Sequence, residues 1–140
     1  MTVKVAVAQM DPQLGQNAAN LAHILALFRE AAGEGARLVV FPECAASGYG
    51  FATLEAGYAA AETVPGPATD ALAVACRETG AYAVVGLLER DGSENLYNSA
   101  VLVGPEGVVG VYRKSHLPLL GIERFTTPGD SGFRVWETAI

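Results

Sequence analysis

Arg37-Leu38-Val39-Val40-Phe41 is a short apolar run rich in branched residues and closed by Pro42. Such a run, with no polar alternation, reads as a strand buried on both faces, the kind found in parallel sheets. Proline has no N–H to give to a ladder, so the strand ends there. Upstream, Val3 to Ala8 alternates in a way that suits a strand, and Asp11-Pro12-Gln13-Leu14-Gly15 supplies turn chemistry. From Asn17, read as an N-cap, Leu21, Ile24, Leu25, Phe28 and Ala32 recur at helical spacing until Gly33 and Gly35 end the pattern. Strand, helix, strand makes a βαβ unit and places the chain in the α/β class.

After the Gly48 to Gly50 loop, a helical region is expected from Thr53 to Ala61 and a clearer one from Ala68 to Thr79, behind Pro65-Gly66-Pro67 and stopped by Gly80. Tyr82 to Leu88, Leu96 to Val103 and Val108 to Tyr112 read as three strands joined by the turns Asp91-Gly92-Ser93 and Gly104-Pro105-Glu106-Gly107. They form an antiparallel meander, so the whole is a mixed sheet with helices on at least one face. A further strand is expected at Phe133-Arg134-Val135-Trp136. Nothing follows Ile140 to cover it, so the chain reads as one domain, residues 1–140, cut off inside its fold.

With 51% apolar residues among 140, the chain can bury a sizeable core. A net charge of −6, with Lys and Arg scattered, excludes a nucleic-acid or anionic-membrane surface. Gly, Pro and charged residues interrupt every apolar run before bilayer length. The start, Met1-Thr2-Val3-Lys4-Val5, has no export signal, so a cytoplasmic location is expected, with Cys44 and Cys76 as reduced thiols and no disulfide.

Glu43 stands just past the carboxyl end of the buried strand, where open α/β sheets place ligand sites. A carboxylate there is also often a solvated loop residue. Lys114 and its neighbour Arg113 stand at the end of the last meander strand, where surface lysines and arginines are common. Glu43 and Lys114 gain meaning together. Val39-Val40-Phe41-Pro42-Glu43 resembles the segment that supplies the catalytic glutamate of the nitrilase superfamily of carbon-nitrogen hydrolases, and Tyr112-Arg113-Lys114-Ser115-His116-Leu117-Pro118 resembles the segment that supplies its lysine. Ala8-Gln9, Gly15 with Asn17, Gly48-Tyr49, Tyr97-Asn98-Ser99 and Pro128-Gly129-Asp130 fit the same pattern, so the resemblance covers essentially the whole chain.

The resemblance implies a nitrilase-like α-β-β-α sandwich, present here as roughly its amino-terminal half. It implies hydrolysis of a non-peptide carbon-nitrogen bond in an amide, carbamoyl or nitrile substrate, amide being favoured. Glu43 would be the general base, Lys114 the oxyanion partner, and the nucleophilic cysteine would lie beyond Ile140. On this reading the fragment alone is inactive. Glu123 is the candidate for a second glutamate, although a loop glutamate beside Arg124 is also a common surface ion-pair partner. Cys44 and Cys76 match no nucleophile motif and are expected to be structural. His23 and His116 have no second ligand at metal spacing, Gly48-x-Gly50 is no dinucleotide fingerprint, and no cofactor is implied. Self-association, or association with the missing carboxyl-terminal half, is expected. The alternative is a non-catalytic truncated module that needs a partner, and a small nucleotide-binding domain is disfavoured because there is no phosphate loop.

Overall fold

The computed structural model describes residues 2–140. Strand β1 (Val5–Val7), helix α1 (Asn17–Gly33) and strand β2 (Leu38–Val40) form the expected βαβ unit. They are followed by helices α2 (Leu54–Ala60) and α3 (Pro67–Thr79), strands β3 (Tyr82–Arg90), β4 (Leu96–Gly104) and β5 (Gly107–Arg113), and a 3₁₀ turn, Gly121–Arg124. The sheet runs β1-β2-β3-β4-β5, with parallel pairing up to β3 and antiparallel pairing beyond it. It is therefore mixed, as the sequence implies.

Period-2 alternation divides the sheet into two faces. Val39, Ala83, Val85, Val101 and Val103 face Ile24 and Phe28 of α1 and Leu72 and Cys76 of α3, and all are buried. Each such large apolar side chain contributes about 1.5–3 kcal/mol by leaving water. The opposite face is more open: Val7 is 82% exposed, and Val40, Val84 and Tyr112 are only partly covered. A second, smaller cluster of Cys44, Phe51, Leu88, Leu96 and Ile122 sits on that face beneath the loop after β2. Among the described residues no helix is long and apolar enough to cross a membrane.

Three local expectations are corrected. The first strand is three residues rather than Val3 to Ala8, although Arg37 N–H to Lys4 O and Ala8 N–H to Val40 O, both 2.9 Å, continue its pairing at each end. Asn17 is the first residue of α1 instead of its cap. Gln16 caps without a side-chain bond, while Asn17 Nδ2 donates 2.8 Å to Ala60 O and ties α1 to the end of α2. Phe133-Arg134-Val135-Trp136 forms no strand. These residues apply side chains to the sheet instead of hydrogen bonding to an edge: Trp136 packs against Gly110, Phe133 stacks on Tyr112 at 5.7 Å between ring centroids, and Ala139 N–H donates 3.2 Å to Tyr82 Oη.

Candidate functional site

The chain leaves β2 and turns sharply over β3. Phe41 N–H bonds Val84 O at 2.9 Å and Ala46 N–H bonds Gly86 O at 3.1 Å, so the Pro42–Cys44 backbone is pinned on Gly86 between them. A Cβ at Gly86 would lie 2.5 Å from Pro42 O and 2.6 Å from Cys44 N, so the approach requires glycine. Cys44 then takes φ = +50°, an unfavourable conformation for a non-glycine residue. Its carbonyl accepts from Ser47 and Gly48 N–H, at 3.2 and 2.8 Å, which closes the turn. Glu43 is thereby aimed across the sheet with its side chain 49% exposed.

Lys114 arrives from the other side. Its N–H bonds Asn98 O at 2.8 Å, one rung beyond β5, and its carbonyl accepts from Gly129 N–H at 3.0 Å. Because successive strand residues face opposite sides, Asn98 and Lys114 share the open face, whereas Ser99 and Arg113 share the other. On the open face Lys114 Nζ lies 2.8 Å from Glu43 Oε1 and 2.5 Å from Glu123 Oε1, and Asn98 Nδ2 donates to the same two oxygens at 2.6 and 3.0 Å. The three residues singled out in the sequence, 43, 114 and 123, thus meet at one point.

Glu123, the candidate second glutamate, is not a surface ion-pair partner of Arg124, the alternative reading of its position: it is 0% exposed, its Oε2 has no hydrogen-bond partner among the described residues, and Arg124 Nε donates to Gly121 O instead. Burial by itself would raise the Glu43 pKa, but the bonds from Lys114 and Asn98 outweigh it and hold the carboxyl below the usual range. For Lys114 burial would lower the pKa, and the bonds to Glu123 and Glu43 outweigh it and hold the ammonium above its ordinary value. Both groups are therefore charged at neutral pH.

These shifts set a pH dependence. The Glu43 contribution to stability is present above pH 4.5 and is lost as the pH falls through its depressed folded-state pKa. The Lys114 contribution is present below pH 10.5 and is lost as the pH rises through its raised one. The gap in urea midpoint between wild type and Glu43→Gln is expected to close on acidification below about pH 4. A gap that stayed constant down to about pH 2 would contradict the assigned shift.

An open cleft of about 500 Å³ adjoins the cluster, lined by Glu43, Asn98 and Lys114 and by the apolar Val40, Val84 and Tyr112. His116 also lines it, with Nδ1 3.1 Å from Ser115 Oγ. Neither cysteine opens onto it as a nucleophile. Cys44 is buried, and desolvation, with Glu43 next, pushes its thiol up to about 12. Cys76 lies on α3 beneath the opposite sheet face, and burial likewise raises it to about 12. Among the described residues no group of three His, Cys, Asp or Glu side chains is placed to hold a metal ion.

On the other side of the same strands, Arg113 grips buried Glu89 with Nε and Nη2 at 3.0 and 2.5 Å, Ser99 Oγ donates to Glu89 at 2.6 Å, and the guanidinium lies 3.9 Å over the Tyr97 ring. This network fixes the end of β5, and so the backbone position of Lys114. Glu89→Ala is expected to cost about 2 kcal/mol in urea unfolding, since it strips Arg113 and Ser99 of a charged partner. A change under about 0.5 kcal/mol would show that the network adds nothing.

Gly86 is the site residue that sequence reading passes over, and Asn98 enters it only as part of Tyr97-Asn98-Ser99, with no role attached. The one local signal for Asn98 is its polarity inside an apolar strand, where asparagine is depleted.

Residues 4–140 match the family model described as carbon-nitrogen hydrolase. A nitrilase of Pyrococcus abyssi is 46% identical over 136 residues, an alignment covering 96% of this chain and 51% of that protein. Omega-amidase NIT2 of Xenopus tropicalis is 38% identical over 128 residues, covering 85% of this chain and 45% of that protein. The crystal structure of an N-terminal amidase superposes with a TM-score of 0.82 at 25% identity, over 94% of this chain and 32% of that one. The chain spans about half the length of these curated relatives. Its mixed sheet with helices is the corresponding part of the nitrilase-like α/β fold, and the chain belongs to the carbon-nitrogen hydrolase family.

Proposed function

We propose that this chain is the amino-terminal part of a hydrolase domain that cleaves a non-peptide carbon-nitrogen bond, with an amide as the substrate class and the nucleophilic cysteine contributed by sequence beyond residue 140. The observation that carries the proposal is the 2.8 Å pairing of Glu43 with Lys114 at the edge of the cleft. Glu43, charged at neutral pH, accepts the thiol proton. The thiolate adds to the substrate carbonyl carbon, and the Lys114 ammonium neutralises the oxyanion that forms. Glu43 returns the proton to the departing amine, and water then releases the acid from the thioester. Glu123 holds Lys114 from the buried side and leaves its cleft-facing geometry fixed. The omega-amidases and the N-terminal amidase among its relatives support an amide, and the Pyrococcus nitrilase keeps the nitrile within the class.

The test is intact mass and peptide mapping of the full-length protein quenched during turnover of a slow amide. The expected result is an acyl adduct on a cysteine beyond residue 140, with Cys44 and Cys76 unmodified. An adduct on Cys44 would overturn the assignment. A second reading, a non-catalytic module that works by association, is favoured by exposed apolar side chains: Val7 on the open sheet face is 82% exposed, and Phe133 and Val135 in the segment after the sheet are 85% and 94% exposed. On that reading, purified full-length protein forms the adduct on no cysteine.

A further inference from the structure

Glu43 has two carboxylate oxygens, and the surrounding side chains treat them differently. Oε1 receives both Lys114 Nζ at 2.8 Å and Asn98 Nδ2 at 2.6 Å, while no hydrogen bond is made to Oε2 among the described residues. The two donors also meet at Glu123 Oε1, so Asn98 and Lys114 each bridge the same pair of carboxyl groups. Two acidic side chains brought this close repel unless donors stand between them. Lys114 supplies a charge for that purpose; Asn98 supplies two N–H bonds and no charge.

The orientation of the Asn98 amide is fixed by its neighbours. Its Nδ2 hydrogens point at two carboxyl oxygens, and its Oδ1 faces Cys44 Sγ at 3.7 Å. A flipped amide would set Oδ1 against both acceptors. The Cys44 thiol stays protonated and remains a donor, and Asn98 is only 5% exposed, so its amide is largely shielded from solvent. Asn98 is also tied to Lys114 through the backbone, since its carbonyl accepts the Lys114 N–H at 2.8 Å.

We propose that Asn98 is a positioning residue for the hydrolysis: by occupying Glu43 Oε1 together with Lys114, it leaves Oε2 as the oxygen that takes and returns the proton. The inference rests on the reading of Glu43 as the general base. Removing the Asn98 donor weakens stabilisation of the charged carboxyl, so the Glu43 pKa rises and more of it is protonated at a given pH. It also frees the carboxyl to rotate, so either oxygen competes for Lys114.

The experiment is the pH dependence of kcat/KM, with kcat and KM resolved, for the full-length protein as wild type, Asn98→Ala, Asn98→Asp and Glu43→Gln. The acid limb is expected to move up by about one pH unit in Asn98→Ala, and further in Asn98→Asp, which keeps the shape but replaces a donor by an acceptor. The kcat is expected to fall at least about tenfold in both, with KM changed less than about threefold. A wild-type acid limb in both Asn98 variants, with Glu43→Gln inactive, overturns the role of Asn98 and leaves the general base in place. Wild-type activity in Glu43→Gln removes the base assignment and this inference with it. If both Asn98 variants lose the wild-type circular dichroism spectrum, Asn98 is a packing residue and the proposal fails.

Discussion

On the proposed mechanism, full-length protein carrying Lys114→Ala is expected to turn over its substrate at about one thousandth of the wild-type kcat, the upper end of the loss when a preorganised oxyanion partner is removed. Glu43→Gln is expected to fall at least as far, because a carboxamide cannot take a thiol proton. The geometry explains why neither loss can be made good by a neighbour. Lys114 Nζ is held by Glu43 and by buried Glu123, and among the described residues no other cationic side chain bonds either carboxyl. Arg113, next in sequence, faces the other side of the sheet and is committed to Glu89. KM should move little in Lys114→Ala, since the interaction grows only as charge develops on the substrate oxygen. Steady-state release of the carboxylic acid product measures both constants. Retention of more than about a tenth of wild-type kcat in either variant would contradict the roles assigned.

Gly86→Ala is expected to lower stability by about 3 kcal/mol, at the upper end for overpacking. The three atoms nearest the added methyl are all loop backbone: Pro42 O at 2.5 Å, Cys44 N at 2.6 Å and Glu43 Cα at 2.8 Å. No side chain can rotate away. β3 cannot retreat either, because Gly86 is paired with Ala100 in the middle of the β3–β4 ladder. The loop must therefore lift, and Glu43 with it. A displacement of about 1 Å is enough to cost on the order of a hundredfold in rate where reacting groups must be aligned. Urea unfolding reads the first effect and kcat the second. A wild-type midpoint together with wild-type kcat would show that the loop is not seated on Gly86.

Much of this site is legible in sequence because its charged members stand at strand ends. Glu43 follows an apolar run that reads as a strand buried on both faces, although in the structure only the Val39 face of β2 is fully buried and Leu38 and Val40 are half-buried, and Lys114 ends a strand entered by a tight turn, so each is placed without knowledge of pairing. Asn98 stands in the Tyr97-Asn98-Ser99 segment that fits the family pattern, but what it and Gly86 do is legible only through register. Asn98 becomes a neighbour of Glu43, 55 residues away, because β4 pairs with both β3 and β5 and the pleat turns Asn98 rather than Ser99 to the open face. Gly86 reads locally as a weak point in a strand, and its need for glycine comes from a loop that precedes it by some forty residues.

The burial of Glu123 is hidden for a similar reason. A loop glutamate beside an arginine suggests a surface pair, but the 3₁₀ turn inserts Ile122 into the second cluster and carries Glu123 inward with it. The strand expected at Phe133 to Trp136 fails because alternation describes one chain while a strand needs two. Those residues lay side chains on β5 without adding to its ladder, and Trp136 fills the space that Gly110 leaves on the sheet face.

The most direct test of the Glu43–Lys114 pair as one catalytic unit is a double-mutant cycle on kcat in the full-length protein: wild type, Glu43→Gln, Lys114→Ala and both together. If the two groups serve the same transition state, the double variant loses about as much as the more damaging single one. Losses that multiply would show the two side chains acting independently, and the central claim would then be wrong.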